Sequence, residues 1–183
     1  MDDRLSSVLG LAYTGHPYID IGLATIAAFA NKGGPEELTE ADLGRAIDYM
    51  RTNYVVNPLK AFLHGVVFPN AGFVQPAYER SPERRLIYAD NVLHAHASHV
   101  ADDARLDALL GLPVPDVRYD VKGQLPPGRA YRQHIPLLTG EGIINFFPEG
   151  DPGLPVSGMA MLAVQAFPLG CAKCMGRILA VHS

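Results

Sequence analysis

The sequence predicts an α+β fold that is predominantly helical over residues 1–111 and has a smaller, strand-containing part over residues 112–183. Three observations predict this division. Apolar residues recur at helical spacing through the first hundred residues. Prolines and glycines concentrate after residue 110 and break the later chain into short pieces. A C-x-x-C turn lies near the end, between two apolar runs. We expect both parts to belong to one incomplete domain.

Length and composition narrow the class of protein. A chain of 183 residues, 48% hydrophobic and 19% charged, is long enough to bury a core and is ordinary for a globular domain. No apolar run reaches the roughly 18 residues that a membrane span needs, so we expect no membrane. The net charge of −4 argues against an autonomous nucleic-acid binder, but not against a subunit with a local basic patch. Two cysteines and no signal peptide favour the cytoplasm.

Start signals predict three helices in the first sixty-odd residues. Pro17 suits a first helical position, and Thr39 with Asp42 forms a variant capping box. Asn57 followed by Pro58 restarts a helix. Further helices are expected from Ser81 to about residue 97, over residues 103–110 and over residues 157–167, and a strand over residues 117–121.

Polar residues open the first of these helices. Thr14, His16 and Asp20 are candidate site residues at this position. The commoner role of such residues is to cap and satisfy the start of a helix. Both interpretations stay open from the sequence.

Residues 68–78 lack periodicity and interleave aromatic residues with two amides, Asn70 and Gln75, between prolines. Amide side chains can read the edge of a base through two hydrogen bonds, most naturally adenine. The alternative is an ordinary loop whose amides bond their own backbone, which is the commoner fate of Asn near Gly and Pro.

Arg80, Arg84 and Arg85 form the densest positive cluster of the chain. They surround a helix start, where the helix dipole disfavours cations, so a function other than helix stability is indicated. Phosphate contact is one such function. A solvated face on which the arginines pair with Glu79 and Glu83 is the alternative.

Three histidines, His94, His96 and His99, form a cluster that is a candidate metal-binding site. On a helix, His96 and His99 would share a face with Asp103, whereas His94 would point elsewhere. The sequence has no H-E-x-x-H arrangement, phosphate-binding glycine loop or nucleophile elbow. The sequence therefore shows no recognisable set of catalytic residues.

Cys171 and Cys174 have the spacing with which one turn grips a tetrahedral zinc ion. A structural site needs four ligands, so His182 with a distant histidine, or a second C-x-x-C that this sequence lacks, would have to supply the others. The pattern predicts half a zinc ribbon, with zinc as a structural cofactor. Two plain cysteines and a redox pair stay open, although Pro168 and Gly176 fit poorly with the helix that usually follows a redox motif.

Five motifs occur in order along the chain: Y-T-G-H-P-x-x-D-x-G at 13–22, F-P-N at 68–70, G-E-G-I-I-N-F-F at 140–147, G-L-P-V-S-G at 153–158 and C-x-x-C at 171–174. Together they resemble the CXXC-CXXC family of CRISPR-associated proteins, the large subunits of type I-A/I-B Cascade effector complexes. Members of that family are much longer and carry a second C-x-x-C. We therefore expect this chain to be the amino-terminal part of a large subunit.

The resemblance implies a non-enzymatic subunit beside the 5′ end of the crRNA. Such a subunit reads the protospacer-adjacent motif (PAM) of target double-stranded DNA, helps to open the R-loop and helps to recruit the helicase–nuclease. Its partners would be the crRNA, the target DNA, the other Cascade subunits and the helicase–nuclease. Candidate base-edge or minor-groove contacts are Asn70, Gln75 and Asn145, and candidate phosphate contacts are Lys60, Arg80, Arg84 and Arg85. Two alternatives are a metal-dependent enzyme using the histidine cluster and a structural module that bridges subunits.

Overall fold

The computed structural model describes residues 7–123, 125–136 and 153–182. Within this part of the chain the α-helices are α1 (Pro17–Phe29), α2 (Glu40–Asn53), α3 (Leu59–Phe62), α4 (Pro76–Glu79), α5 (Pro82–Leu93) and α6 (Gly158–Ala166). A π-helical turn, Leu63–Val67, continues α3, and 3-10 turns cover Pro35–Glu37, Ala95–Ala97 and Phe167–Gly170. The mixed α+β class is confirmed.

Two small antiparallel sheets complete the described secondary structure. Strand β1 (Arg129–Ala130) pairs with β2 (Leu154–Pro155). Strand β3 (Ala172–Cys174) pairs with β4 (Arg177–Leu179) to form a hairpin with exposed faces. Its two-residue turn places Met175 at φ 49° and Gly176 at φ 80°, the left-handed backbone that such tight hairpins require.

Helix α6 lies at the centre of the molecule. It comes from the later part of the sequence but packs against α1 and α5 from the earlier part, so that one hydrophobic core joins both. Helices α1 and α6 approach closely at Gly22, where a Cβ atom would lie 1.9 Å from the carbonyl oxygen of Ala163. A side chain at this position would force the two helices apart.

Local signals predicted several elements correctly. Pro17 begins α1, and Thr39 and Asp42 form the expected capping box at the start of α2. Ser157 caps α6, and its side chain accepts a hydrogen bond from the amide of Ala160 at 3.3 Å. Helix α3 begins at Leu59, one residue later than predicted.

Three expected elements differ in the structure. Residues 103–110 are not helical, because the buried carboxylate of Asp107 accepts the amides of Leu109, Leu110 and Gly111 and so favours a turn. Residues 117–121 form no strand. Helix α5 ends at Leu93, earlier than predicted, and the 3-10 turn Ala95–Ala97 follows it.

Candidate nucleic-acid interface

The loop that carries the two amides, residues 68–75, is a succession of tight turns. The amide of Ala71 donates to the carbonyl of Phe68 at 3.0 Å, and that of Val74 donates to the carbonyl of Ala71 at 3.0 Å. Phe68, Ala71, Phe73 and Val74 are buried, whereas Asn70 and Gln75 are half-buried. The apolar residues therefore anchor the loop and leave its amides at the surface.

Tyr88 of α5 holds this loop against the core. Its ring lies edge-on to Phe73, with ring centroids 5.2 Å apart. Gly72 packs on the same ring so closely that a Cβ atom there would lie 2.5 Å from Cγ of Tyr88. The Tyr88 hydroxyl donates to the buried carbonyl of Gln133 at 2.6 Å. Aromatic contact and hydrogen bond together fix the position of the loop.

The amide groups of Asn70 and Gln75 make no hydrogen bond with any residue that the structure describes. Gln75 occupies the N-cap position of α4, yet its side chain does not cap the helix. The structure thus differs from the alternative in which these amides bond their own backbone. Half-buried amides without partners leave donors and acceptors available to a ligand.

The three arginines lie next to this loop, at the end of α4 and the start of α5. Arg80 is the residue that directly follows α4, whereas Arg84 and Arg85 lie in the first turn of α5. Arg80 and Arg84 are exposed and Arg85 is half-buried. Within the described ranges none of the three guanidinium groups forms an ion pair or a side-chain hydrogen bond.

The carboxylates of Glu79 and Glu83 form their hydrogen bonds with groups other than the arginines. The carboxylate of Glu79 lies 2.5 Å from the ammonium of Lys60. The Lys60 hydrogen bond and charge lower the pKa of Glu79. Glu83 accepts the hydroxyl of Ser81, and that hydrogen bond lowers the pKa of Glu83. No ion pair joins the arginines to these acids within the described residues, although the charges of Arg85 and Arg84 also help to lower the pKa of Glu79 and of Glu83, respectively. Lys60 is partly neutralised and is the weaker phosphate candidate.

The remaining residue of this predicted interface is Asn145. It lies outside the described residues, so the geometry of the interface is that of Asn70, Gln75 and the basic residues.

The backbone does not bring Cys171 and Cys174 together. Cys171 is extended and β3 continues to Cys174, so the two residues are about 10 Å apart along the chain and their side chains lie on opposite faces. Thiolates that share one zinc ion each lie about 2.3 Å from it. In this conformation the pair does not fit a common tetrahedral zinc ion.

Cys171 itself has a local structural contact. Its thiol donates to the carbonyl of Phe167 at 3.3 Å, and burial raises its pKa to about 11. A thiol with so high a pKa stays protonated at neutral pH and is a poor redox nucleophile. Cys174 is exposed on the hairpin.

His182, considered in the sequence as a zinc ligand, instead contacts Asp20. Its Nε2 atom lies 3.0 Å from Oδ2 of that buried carboxylate. Asp20 also accepts the amides of Thr14 and Gly15, each at 2.7 Å, and the Thr14 hydroxyl at 2.9 Å. Burial acts to raise the pKa of Asp20, but these hydrogen bonds outweigh it and lower the pKa. Asp20 therefore organises the turn that precedes α1, although no side chain caps the helix itself.

The histidine cluster is dispersed because α5 ends before it. His94 and His99 are exposed, whereas the ring of His96 is buried with Nε2 3.6 Å from Oε2 of Glu40. Burial lowers the pKa of His96, and the charge of Glu40 opposes this effect. No group of three or more His, Cys, Asp or Glu side chains placed to hold a metal is found in the described ranges.

Sequence reasoning missed a polar network in the core. His134 is fully buried, stacks on Tyr88 with ring centroids 5.9 Å apart, and accepts the amide of Tyr131 at Nδ1. The side-chain nitrogen of Gln165 donates to the His134 carbonyl at 2.8 Å. Burial lowers the pKa of His134 to about 3, so its ring is neutral. These residues lie in segments whose periodicity gives no sign that polar groups are buried.

Comparisons of this chain with protein-family models, curated proteins and solved structures return no match. Among the described residues, no helix has both the length and the apolar character needed to cross a membrane. The residues of this chain and its sequence motifs are therefore the basis for a functional proposal.

Proposed function

We propose that this chain is part of the large subunit of a type I CRISPR surveillance complex of the Cascade type. In that role it acts without catalysis, contacts target double-stranded DNA and reads the PAM. One observation supports the proposal most directly. The ordered surface formed by residues 68–85 presents two amides and three guanidinium groups that have no hydrogen bond or ion pair with the described part of the chain.

The chemistry of this surface matches the two kinds of contact that duplex DNA offers. Amides such as those of Asn70 and Gln75 form paired hydrogen bonds with base edges, and arginines contact phosphates. Fixed contacts are needed for base reading, and Tyr88 fixes the loop that carries the amides. The amide groups of Asn70 and Gln75 are reached by solvent, so a base edge can replace the water that satisfies them.

The overall charge agrees with a subunit rather than an autonomous DNA-binding protein. A chain of net charge −4 repels DNA over most of its surface, and the cluster Arg80, Arg84 and Arg85 supplies a local exception. Neighbouring subunits would provide the remaining positive field. The proposed partners are the crRNA, the target duplex, the other Cascade subunits and the helicase–nuclease, in the cytoplasm.

Zinc has no part in this proposed DNA contact. Binding of zinc through Cys171 and Cys174 would require the hairpin to rearrange and further ligands to join it. Metal analysis of the purified subunit, with Cys174→Ser as the comparison variant, tests whether these cysteines hold zinc. Zinc that is present in the wild type and lost in the variant would show that the hairpin rearranges.

The proposal is tested by reconstituting the crRNA complex with and without this subunit. Loss of duplex binding in its absence, together with loss of preference for matched over PAM-scrambled DNA, would support it. Unchanged binding and unchanged preference would refute the DNA-reading role and favour the structural module that bridges subunits.

A further inference from the structure

A basic cleft lies beside the proposed interface, where α4 and the first turn of α5 meet a turn from the later part of the sequence. It has a volume of about 380 Å³ and is lined by Ala77, Tyr78, Arg84, Val121 and Lys122. Lys122 belongs to that later turn, which is closed by the amide of Gly123 on the carbonyl of Asp120. The fold thus brings together two cations that lie far apart in the sequence.

Both cations of this cleft are exposed. In the described structure neither Arg84 nor Lys122 forms an ion pair or a side-chain hydrogen bond. Arg84 presents a planar fork of donors and Lys122 a compact ammonium group, a combination suited to the oxygens of a phosphate. Without a bound anion, two neighbouring cations on a solvated face repel each other, so their proximity does not stabilise the protein.

Asp120, which adjoins the cleft residue Val121 in the sequence, is buried within the protein. Its carboxylate accepts the amide of Leu125 at 3.4 Å. Tyr78 lines the cleft, is 7% exposed and directs its hydroxyl to the side-chain oxygen of Gln133 at 3.4 Å. The cleft therefore offers two exposed positive charges to solvent, while Asp120 is buried and the exposed Glu83 beside Arg84 accepts the hydroxyl of Ser81.

We infer that this cleft holds a backbone phosphate of nucleic acid, with Arg84 and Lys122 as its two ligands. The inference rests on the proposed function and extends it by adding Lys122, which lies outside residues 68–85, to the contact surface. A phosphate bound here carries no sequence information, so it positions the duplex while Asn70 and Gln75 read bases.

The test is duplex binding by the crRNA complex across a range of salt concentrations, with wild-type subunit and with Arg84→Gln/Lys122→Gln. Neutralising one phosphate contact should make the slope of log K against log salt shallower by about 0.9. Binding should weaken several-fold on matched and PAM-scrambled duplexes alike. Lys173→Gln/Arg177→Gln on the exposed hairpin removes the same charge elsewhere and should leave the slope unchanged.

A double variant with the wild-type slope would overturn the inference, as would an equal loss in the hairpin control. If the double variant changes its melting temperature, the single variant Lys122→Gln, on an exposed turn, replaces it. Failure of the proposed function is recognised separately, because it appears as unchanged PAM preference in Asn70→Ala/Gln75→Ala.

A second arm distinguishes nucleic acid from free phosphate as the ligand. The NMR resonance of the Arg84 side chain is followed in the wild-type subunit, reconstituted into the crRNA complex, during titration with a short DNA duplex and, separately, with inorganic phosphate. A shift with the duplex that is lost in Lys122→Gln supports the inference. A shift with inorganic phosphate but not with the duplex overturns it, and so does the absence of any shift.

Discussion

The ammonium of Lys60 lies 2.5 Å from the carboxylate of Glu79, and this contact decides which cations remain on the proposed DNA-contacting surface. Glu79 is the acid next to Arg80 in the sequence, and the charge of Arg85 also acts on it. Because Lys60 holds its carboxylate, neither arginine forms an ion pair with Glu79 in the described structure, and both guanidinium groups can contact an external anion. The same contact makes Lys60 itself a weaker candidate.

Removal of these arginines should weaken DNA binding without regard to sequence. We expect Arg80→Gln/Arg85→Gln to reduce affinity for matched and PAM-scrambled duplexes by similar factors and to make the salt dependence shallower, by about 0.9 for each phosphate that is no longer neutralised. Arg45→Gln/Arg51→Gln removes the same charge and is the control, because both arginines are already paired with carboxylates. Salt titration of duplex binding by the complex measures both. An equal effect in the control would show that only net charge matters.

The two amides should contribute little to folding. Because Asn70 and Gln75 have no hydrogen-bond partner in the described structure, replacement of either by Ala should change the free energy of unfolding by less than about 0.5 kcal/mol. Asn53 provides the contrast, since its side chain donates to the carbonyl of Tyr49 at 2.9 Å and its loss should cost about 1 kcal/mol. Denaturant unfolding measures these values. A cost above about 1 kcal/mol at Asn70 or Gln75 would indicate a structural role.

Tyr88→Phe should destabilise the fold and loosen the amide loop. The substitution leaves the buried carbonyl of Gln133 without its 2.6 Å hydrogen bond, which costs about 1–3 kcal/mol. Tyr49→Phe is the matched control, because Tyr49 is 37% exposed and packs on Phe29 through its ring. Thermal unfolding of both variants checks this. Equal stability of the two variants would contradict the anchoring role of the Tyr88 hydroxyl.

Buried His134 should make the fold sensitive to acid. Its pKa is lowered by burial from 6.5 to about 3, so below pH 6.5 the unfolded chain takes up a proton that the folded chain does not. The contribution of His134 to stability is therefore complete above pH 6.5 and is lost as the pH falls toward 3. The slope is at most about 1.4 kcal/mol per pH unit.

The variant His134→Phe tests this pH dependence, because it keeps an aromatic ring and removes the titrating group. We expect its unfolding free energy to vary less between pH 6.5 and pH 4 than that of the wild type. An unchanged pH profile in His134→Phe would contradict the assignment.

Short-range signals account for the parts of the fold that could be predicted. The Thr39 capping box and the apolar run after Ser157 act within a few residues, so sequence alone locates α2 and α6. The helix expected at 103–110 failed for a tertiary reason. Asp107 accepts the amide of Ser157, fifty positions away, as well as amides of its own turn, and no local pattern reports that contact.

Part of the candidate site could likewise be predicted from the sequence, whereas part depends on the fold. Residue types and the family resemblance made Asn70, Gln75 and the arginines candidates, because side-chain chemistry defines what such residues can bind. Whether those groups already have partners depends on the fold, as the pairing of Glu79 with Lys60 shows. Lys122 could not be connected with Arg84 from sequence, since a turn far along the chain brings it to the same cleft.

The central claim is that the amides of residues 68–85 read the PAM. The most direct measurement is the ratio of affinities for matched and PAM-scrambled duplexes, determined with the reconstituted crRNA complex carrying wild-type subunit, Asn70→Ala/Gln75→Ala or the control Asn53→Ala. We predict that the ratio falls at least tenfold in the double variant, the loss expected for about 1.4 kcal/mol of discrimination. It should stay unchanged in the control. A wild-type ratio in a correctly folded double variant would contradict the claim.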